Sequence, residues 1–142
     1  MSNLTFSGPT YFSPIINQVI NLIKLKKDNL QYEVLMILTD GIINDMNETV
    51  DASVEWSFLP LSVDVIGIRN VNFGNMEYLD GDKYPLVSSQ GKKGMRDIVQ
   101  FVPFNQFANN PQRLAQEVLE EIPRQIEDYY MMNDLYPYNL KQ

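Results

Sequence analysis

The chain has no cysteine and no histidine. The first absence removes disulfides, thiolate zinc sites and thiol nucleophiles together, and it accords with a reducing compartment. The second removes the commonest general base and the commonest transition-metal ligand. A metal bound here is held by oxygen, which points to magnesium, calcium or manganese. No apolar run approaches the ~20 residues of a membrane-spanning helix, and the amino terminus lacks the basic stretch and apolar core of a secretory signal. Positive charge is scarce. Against 18 Asp and Glu stand 11 Lys and Arg, and the net charge of −7 argues against a broad basic face for nucleic acid. Two small basic clusters exist, Lys24/Lys26/Lys27 and Lys92/Lys93 with Arg96. They read as solvated side chains at a helix end and in a loop, thinner than a patch that holds acidic lipid by charge.

What is present suits one α/β domain. A chain of 142 residues buries enough surface for a real core. Gly8-Pro9 marks a turn, and Ser13-Pro14 reads as a helix N-cap with proline at the first helical position. Ile15, Ile16, Val19, Ile20, Leu22 and Ile23 recur at helical spacing, which predicts a helix to about Lys27, closed by Asp28-Asn29. Tyr32–Leu38 is a continuous apolar strand, a pattern that predicts burial on both faces of a parallel sheet. Asn44 or Asp45 is placed to cap a second helix, with Met46, Val50, Val54 and Phe58 down one side. Leu61–Ile68 and Ile98–Val102 read as further strands, with a short helix around Asn75–Leu79 between them. Asn110-Pro111 opens a last long helix whose core face is Leu114, Val118, Leu119, Ile122 and Ile126, with a kink or break near Ile122 caused by Pro123. Residues 135–142 read as a flexible tail. This order predicts parallel strands with helices on both faces, and ligands bind such sheets outside the carboxyl ends of the strands.

Asp40 stands at that end of the first strand, in "ILTDGIINDM" (Ile37–Met46). A helix from Ser13 to Lys27 covers ~22 Å, and the strand from Tyr32 to Leu38 returns ~23 Å, so the lengths nearly cancel. The loop before the helix, which carries Thr10, is therefore expected at the same sheet edge. A hydroxyl and a carboxylate brought together there form half of an oxygen-lined cation site. Both residues have a plainer reading as turn formers, since Asp before Gly commonly accepts backbone N–H groups. Asp80 and Asp82 in "LDGD" lack EF-hand spacing, because Gly91 stands where that loop needs its glutamate, and they read as a turn. Glu120, Glu121, Glu127 and Asp128 read as a solvated helix face. Tyr129, Tyr130, Tyr136 and Tyr138 read as docking the tail or as a partner surface.

"GPTYFSPIIN" (Gly8–Asn17), "ILTDGIINDM", "MEYLDGD" (Met76–Asp82), "RDIVQFVPF" (Arg96–Phe104) and "EIPRQ" (Glu121–Gln125) together resemble the carboxyl-terminal part of copines. The resemblance implies a three-layer, Rossmann-like domain of the von Willebrand factor A type, here incomplete, with about three parallel strands and flanking helices over 1–142. That domain type carries a metal-ion-dependent adhesion site built from a D-x-S/T-x-S loop, a threonine and an aspartate. Thr10 resembles the threonine and Asp40 the aspartate. Nothing resembles the first loop, since "DASVE" (Asp51–Glu55) falls inside a helical pattern. The resemblance thus implies Mg2+ or Mn2+ at a weak or incomplete site, and a protein partner at the metal-bearing sheet edge. It also implies membership of a calcium-dependent phospholipid-binding family, and no enzymatic activity. The expected location is cytoplasmic, with membranes reached only in a full-length context through lipid-binding domains absent from this chain. The family continues the second strand as glycine, an apolar residue and glycine, whereas Gly67-Ile68-Arg69 here ends on a cation near the same edge. Without the amino-terminal half of the sheet, the first strand is expected to be an exposed edge that invites self-association. Two other functional readings stay open: a truncated product without independent activity, and a magnesium-dependent phosphotransfer or hydrolytic enzyme using Asp40. The enzyme reading has no P-loop, no G-x-S-x-G elbow and no second acid at that edge to support it.

Overall fold

The computed structural model describes residues 8–26, 31–68, 74–81 and 84–135. Helix α1 (Ser13–Leu25) leads to strand β1 (Glu33–Thr39), and helix α2 (Met46–Trp56) to strand β2 (Leu61–Gly67). A short helix α3 (Gly74–Asp80) precedes strand β3 (Val99–Pro103), followed by a 3-10 turn at Phe104–Gln106 and helices α4 (Pro111–Leu119) and α5 (Ile122–Met132). The strands form one parallel sheet in the order β1-β2-β3. Glu33 lies beside Leu61 and Val63 beside Val99. This is the incomplete Rossmann-like sheet of the A-type expectation.

Strand parity sorts the side chains into two layers. On one face Ile37, Val63, Val65, Val99 and Phe101 meet Ile16, Ile20 and Ile23 of α1, Val50 and Trp56 of α2, and Met76 and Leu79 of α3. On the other face Ile66 and Val102 pack with Val118 of α4, joined by Leu114, Phe104 and Phe107. β2, flanked by strands and covered on both faces, is buried at every position.

The helix ends follow local chemistry, with exceptions. Asn110 caps α4 by accepting the Arg113 N–H, and Pro111 opens it. The expected break is real: α4 stops at Leu119, and α5 restarts at Ile122 with Pro123 in its first turn. Ser13 does not cap α1. It is the first helical residue, and the capping acceptor comes from elsewhere in the chain. Asp45 occupies the N-cap position of α2, yet its side chain bonds no N–H of that helix. Phe58 lies beyond α2 and is exposed, and Trp56 takes the buried place. Leu119 is exposed rather than part of the core face.

The apolar run of β1 is not buried on both faces. Its burial alternates, with Val34, Met36 and Leu38 43%, 46% and 62% exposed on the α4/α5 face, which those helices cover over β2 and β3 and leave open over β1. Among the described residues β1 is an edge strand of the sheet, and the second layer stops short of it. The proposed end of α1 at Lys27, its closure at Asp28-Asn29, Arg69, Asp82, Tyr136 and Tyr138 lie outside the described residues. So does the 135–142 tail beyond Leu135, whose N–H still bonds the Tyr130 carbonyl.

Candidate functional site

The loop before α1 is fastened to the segment after β1. Thr10 forms a parallel bridge with Ile43. Its N–H donates to Asn44 Oδ1 at 2.7 Å, and its carbonyl accepts the Asn44 N–H at 2.8 Å. Asp45 completes the clamp. Its carboxylate accepts the Phe12 N–H at 2.9 Å and the Ser13 N–H at 2.8 Å, satisfying donors that open the first turn of α1. Burial pushes the Asp45 carboxyl upward, but the hydrogen bonds from Phe12 and Ser13 outweigh it and hold the group below the usual aspartate value.

This clamp sets Thr10 against the turn that carries Asp40. A Cβ built on Gly41 would lie 2.5 Å from Thr10 Oγ1, closer than atoms approach without displacement. Glycine at position 41 is what lets the hydroxyl lie over the turn. The turn is further held by Thr39 Oγ1, which accepts the Gly41 N–H at 3.2 Å. Asp40 itself is exposed. Thr10 and the Asp40–Gly41 turn therefore meet at the carboxyl end of β1, where chain lengths alone had placed them. Asp51 and Glu55 of "DASVE" lie in α2, and Asp51 binds the N–H and hydroxyl of Ser89.

The donors at this edge are all oxygens, and the exposure of Asp40 leaves room for water in a cation's shell. An ion that keeps most of its water and takes one or two protein ligands suits that set, which describes magnesium. Asn44 Oδ1 and Thr39 Oγ1 are already engaged by backbone groups.

A second group of acids was not legible in the sequence. Ligand atoms of Asp80, Asp97 and Glu121 lie within 4.8 Å of one another. Their hydrogen bonds explain the gathering. Asp80 accepts the Phe101 N–H at 2.9 Å and Asp97 the Val99 N–H at 3.2 Å. The Arg124 guanidinium stands 4.0 Å from Asp97 and 3.9 Å from Glu121. Glu121, expected on a solvated face, is instead partly buried and receives Gln125 Nε2. Asp80, expected in a plain turn, terminates α3 and binds the edge of β3.

The opposite end of the sheet is pinned by Arg96. Its guanidinium donates to the Tyr32 hydroxyl and to the carbonyls of Leu59, Leu61 and Gln125. It lies 5.5 Å from the ring centres of both Tyr32 and Tyr129. Burial raises the pKa of Tyr32 despite the Ser62 hydrogen bond and the nearby Arg96 charge. Lys92 lies 4.6 Å over the Phe58 ring. Lys92 and Lys93 are exposed in the loop, as expected, whereas Arg96 departs from that reading by turning inward. A pocket of about 280 Å³ lined by Tyr84, Leu86, Met95 and Asp97 also lies at this amino end, remote from Asp40.

A copine family model matches residues 1–138. The chain belongs to the copine family. It is 46% identical to Copine-C of Dictyostelium discoideum over 134 residues, covering 92% of this chain and 24% of that protein. Copine-D of the same organism is 43% identical over 140 residues, 98% of this chain and 26% of that protein. Copine-A is 46% identical over 127 residues, 88% and 21% respectively. The chain thus spans about a quarter of the length of the curated copines it matches. Among the described residues no helix is long and apolar enough to cross a membrane.

Proposed function

We propose that this copine segment is a non-enzymatic, divalent-cation-dependent protein-interaction unit working at the carboxyl end of β1. Thr10 and Asp40 are the protein ligands, magnesium or manganese is the ion, and a carboxylate of the partner protein completes the shell. The observation that supports this reading is the approach of Thr10 Oγ1 to the Asp40–Gly41 turn, which glycine alone permits. The ion supplies a positive centre for the partner's carboxylate, while Asn44 and Asp45 hold the Thr10 loop in place. With two protein ligands the affinity is weak, on the order of 10⁻³ M. The setting is cytoplasmic. Calcium-dependent phospholipid binding is the expected activity of whole copines, and a membrane reaches this unit only through their lipid-binding domains.

The test is paramagnetic broadening by Mn2+ in amide NMR spectra, with displacement by Mg2+. Broadening centred on Thr10 and Gly41 and lost in Asp40→Ala is expected. Broadening that survives Asp40→Ala, or that centres on Asp97 and Glu121, refutes the assignment.

A further inference from the structure

Asp64 lies in the middle of β2, and Gln100 stands beside it in the register of β3. Both are buried, at 1% and 7% exposure. Strand parity puts them on the face of Ile66 and Val102, which meets α4, and of Ser62, which meets Gln125 of α5. Both carboxylate oxygens of Asp64 and Oε1 of Gln100 are closed to solvent, and among the described residues none has a hydrogen-bond partner. Neighbouring parallel strands stand ~4.8 Å apart, so two side chains at one register position on one face adjoin. An ionised carboxylate and an amide carbonyl only accept, and they cannot satisfy each other. One proton on Asp64 supplies the donor that both lack. The other end of the Gln100 amide is occupied. Its Nε2 donates to the Glu117 carbonyl of α4 at 2.6 Å. That carbonyl is among the last four of the helix, which have no N–H of a following turn to accept. Its bond from the Glu120 N–H is long, at 3.3 Å. Gln100 is therefore a side-chain cap on the carboxyl end of α4, just before the break that separates α4 from α5.

We propose that Asp64 and Gln100 form a proton-operated latch on the end of α4. With Asp64 protonated, its hydroxyl donates to Gln100 Oε1, and the amide nitrogen holds the Glu117 carbonyl. When the proton passes to solvent, the carboxylate faces Oε1 as acceptor against acceptor. The amide then turns over, a rotation that is roughly two-fold. Its nitrogen donates to the Asp64 carboxylate, its oxygen faces the Glu117 carbonyl, and α4 loses its cap. The groups around Asp64 set where this happens. Met36 of β1, beside it in the register, carries no charge. Burial first, and then the negative charge of Glu121 ahead of α5, raise the Asp64 carboxyl to about 6. Arg124 of α5 stands 3.9 Å from Glu121, and the Glu117 carboxylate of α4 lies 3.6 Å from Arg113. Tyr32, ahead of β1, feels the Asp64 charge, and burial raises its own pKa, so it keeps its proton through this range. The latch is thus closed below about pH 6 and open above it. Closing it orders the turn that carries Val118, the residue packed on Ile66 and Val102.

NMR of the whole chain between about pH 5 and pH 7.5 reads the latch. At the lower pH the Gln100 side-chain NH2 is expected to show nuclear Overhauser contacts to the last turn of α4. These are expected to disappear at the higher pH, with a midpoint near pH 6. Over the same range, hydrogen-exchange protection of residues 118–120, corrected for intrinsic rates, is expected to fall about tenfold more than that of Val54 in α2. Asp64→Asn carries a permanent donor, and it is expected to keep the turn protected at both pH values. Gln100→Met removes both ends of the amide, and it is expected to leave the turn open at both. Should that variant fail to fold, the native chain and Asp64→Asn decide the matter. Equal losses of protection in α2 and α4 would be a global change in stability and overturn the inference. So do Gln100 contacts to α4 that persist at the higher pH, or a pH-dependent turn that survives Asp64→Asn.

Discussion

Asp64 sits in the middle of the central strand at 1% exposure, and neither carboxylate oxygen has a hydrogen-bond partner among the described residues. Burial, aided by the negative charge of Glu121, raises its pKa from 3.8 to about 6. In the native chain the proton is therefore held to about pH 6, whereas the unfolded chain releases it near pH 4. Between those values the native state binds more protons, so stability falls as pH rises through the window. A shift of that size corresponds to about 3 kcal/mol of stability present below the window and lost above it. Asp64→Asn keeps the shape and removes the charge. Gln100, beside Asp64 in the register, has its buried Oε1 without a partner, and the introduced amide brings a donor to that neighbourhood. The substitution is expected to stabilise the protein by about 1–3 kcal/mol at pH 7.5 and by little at pH 4. In urea this is a midpoint shift of roughly 1 M at the higher pH. A midpoint gain that is the same at both pH values, or absent at pH 7.5, would refute the claim that a buried charge opposes folding here.

Gly41→Ala should force the Thr10 loop away from the turn and cost about 1–3 kcal/mol. Combining it with Thr10→Gly should recover most of that loss, and additive costs in thermal melts would show that the contact is not what requires glycine. Arg96→Ala removes the guanidinium donor shared by the Tyr32 hydroxyl and the carbonyls of Leu59, Leu61 and Gln125, and it is expected to lower stability by about 3 kcal/mol or more.

The elements were legible because each has a local signal. Pro14, Pro111 and Pro123 lie in the first turns of their helices, and the apolar spacing of α1 and the dense runs of β2 and β3 needed no tertiary knowledge. The position of Thr10 was legible for a different reason: helix and strand lengths that cancel return the chain to its starting edge. What remained hidden depends on partners far along the chain. Asp45 looks like a cap for the helix it precedes, yet it caps the one before, because the fold brings Phe12 and Ser13 to it. Arg96 looks like surface charge beside two lysines until three carbonyls and two tyrosine rings surround it. β1 carries as apolar a run as a strand covered on both faces, but exposure is decided by which helices reach it. Here α4 and α5 do not.

The same reasoning separates function from scaffolding. Arg96 joins α5 to the amino end of the sheet through a cation, backbone carbonyls and aromatic rings, all of them engaged within the chain. The acids near β3 are likewise engaged, by the edge's N–H groups and by Arg124. At the carboxyl end of β1 the supporting residues Asn44 and Asp45 are engaged, while Asp40 faces solvent. An interacting molecule gains most where desolvation is cheap and new partners are needed. The tip of β1, where Asp40 lies, meets this condition. Under the proposed function a cation there attracts a partner's carboxylate, and chelator should abolish that contact.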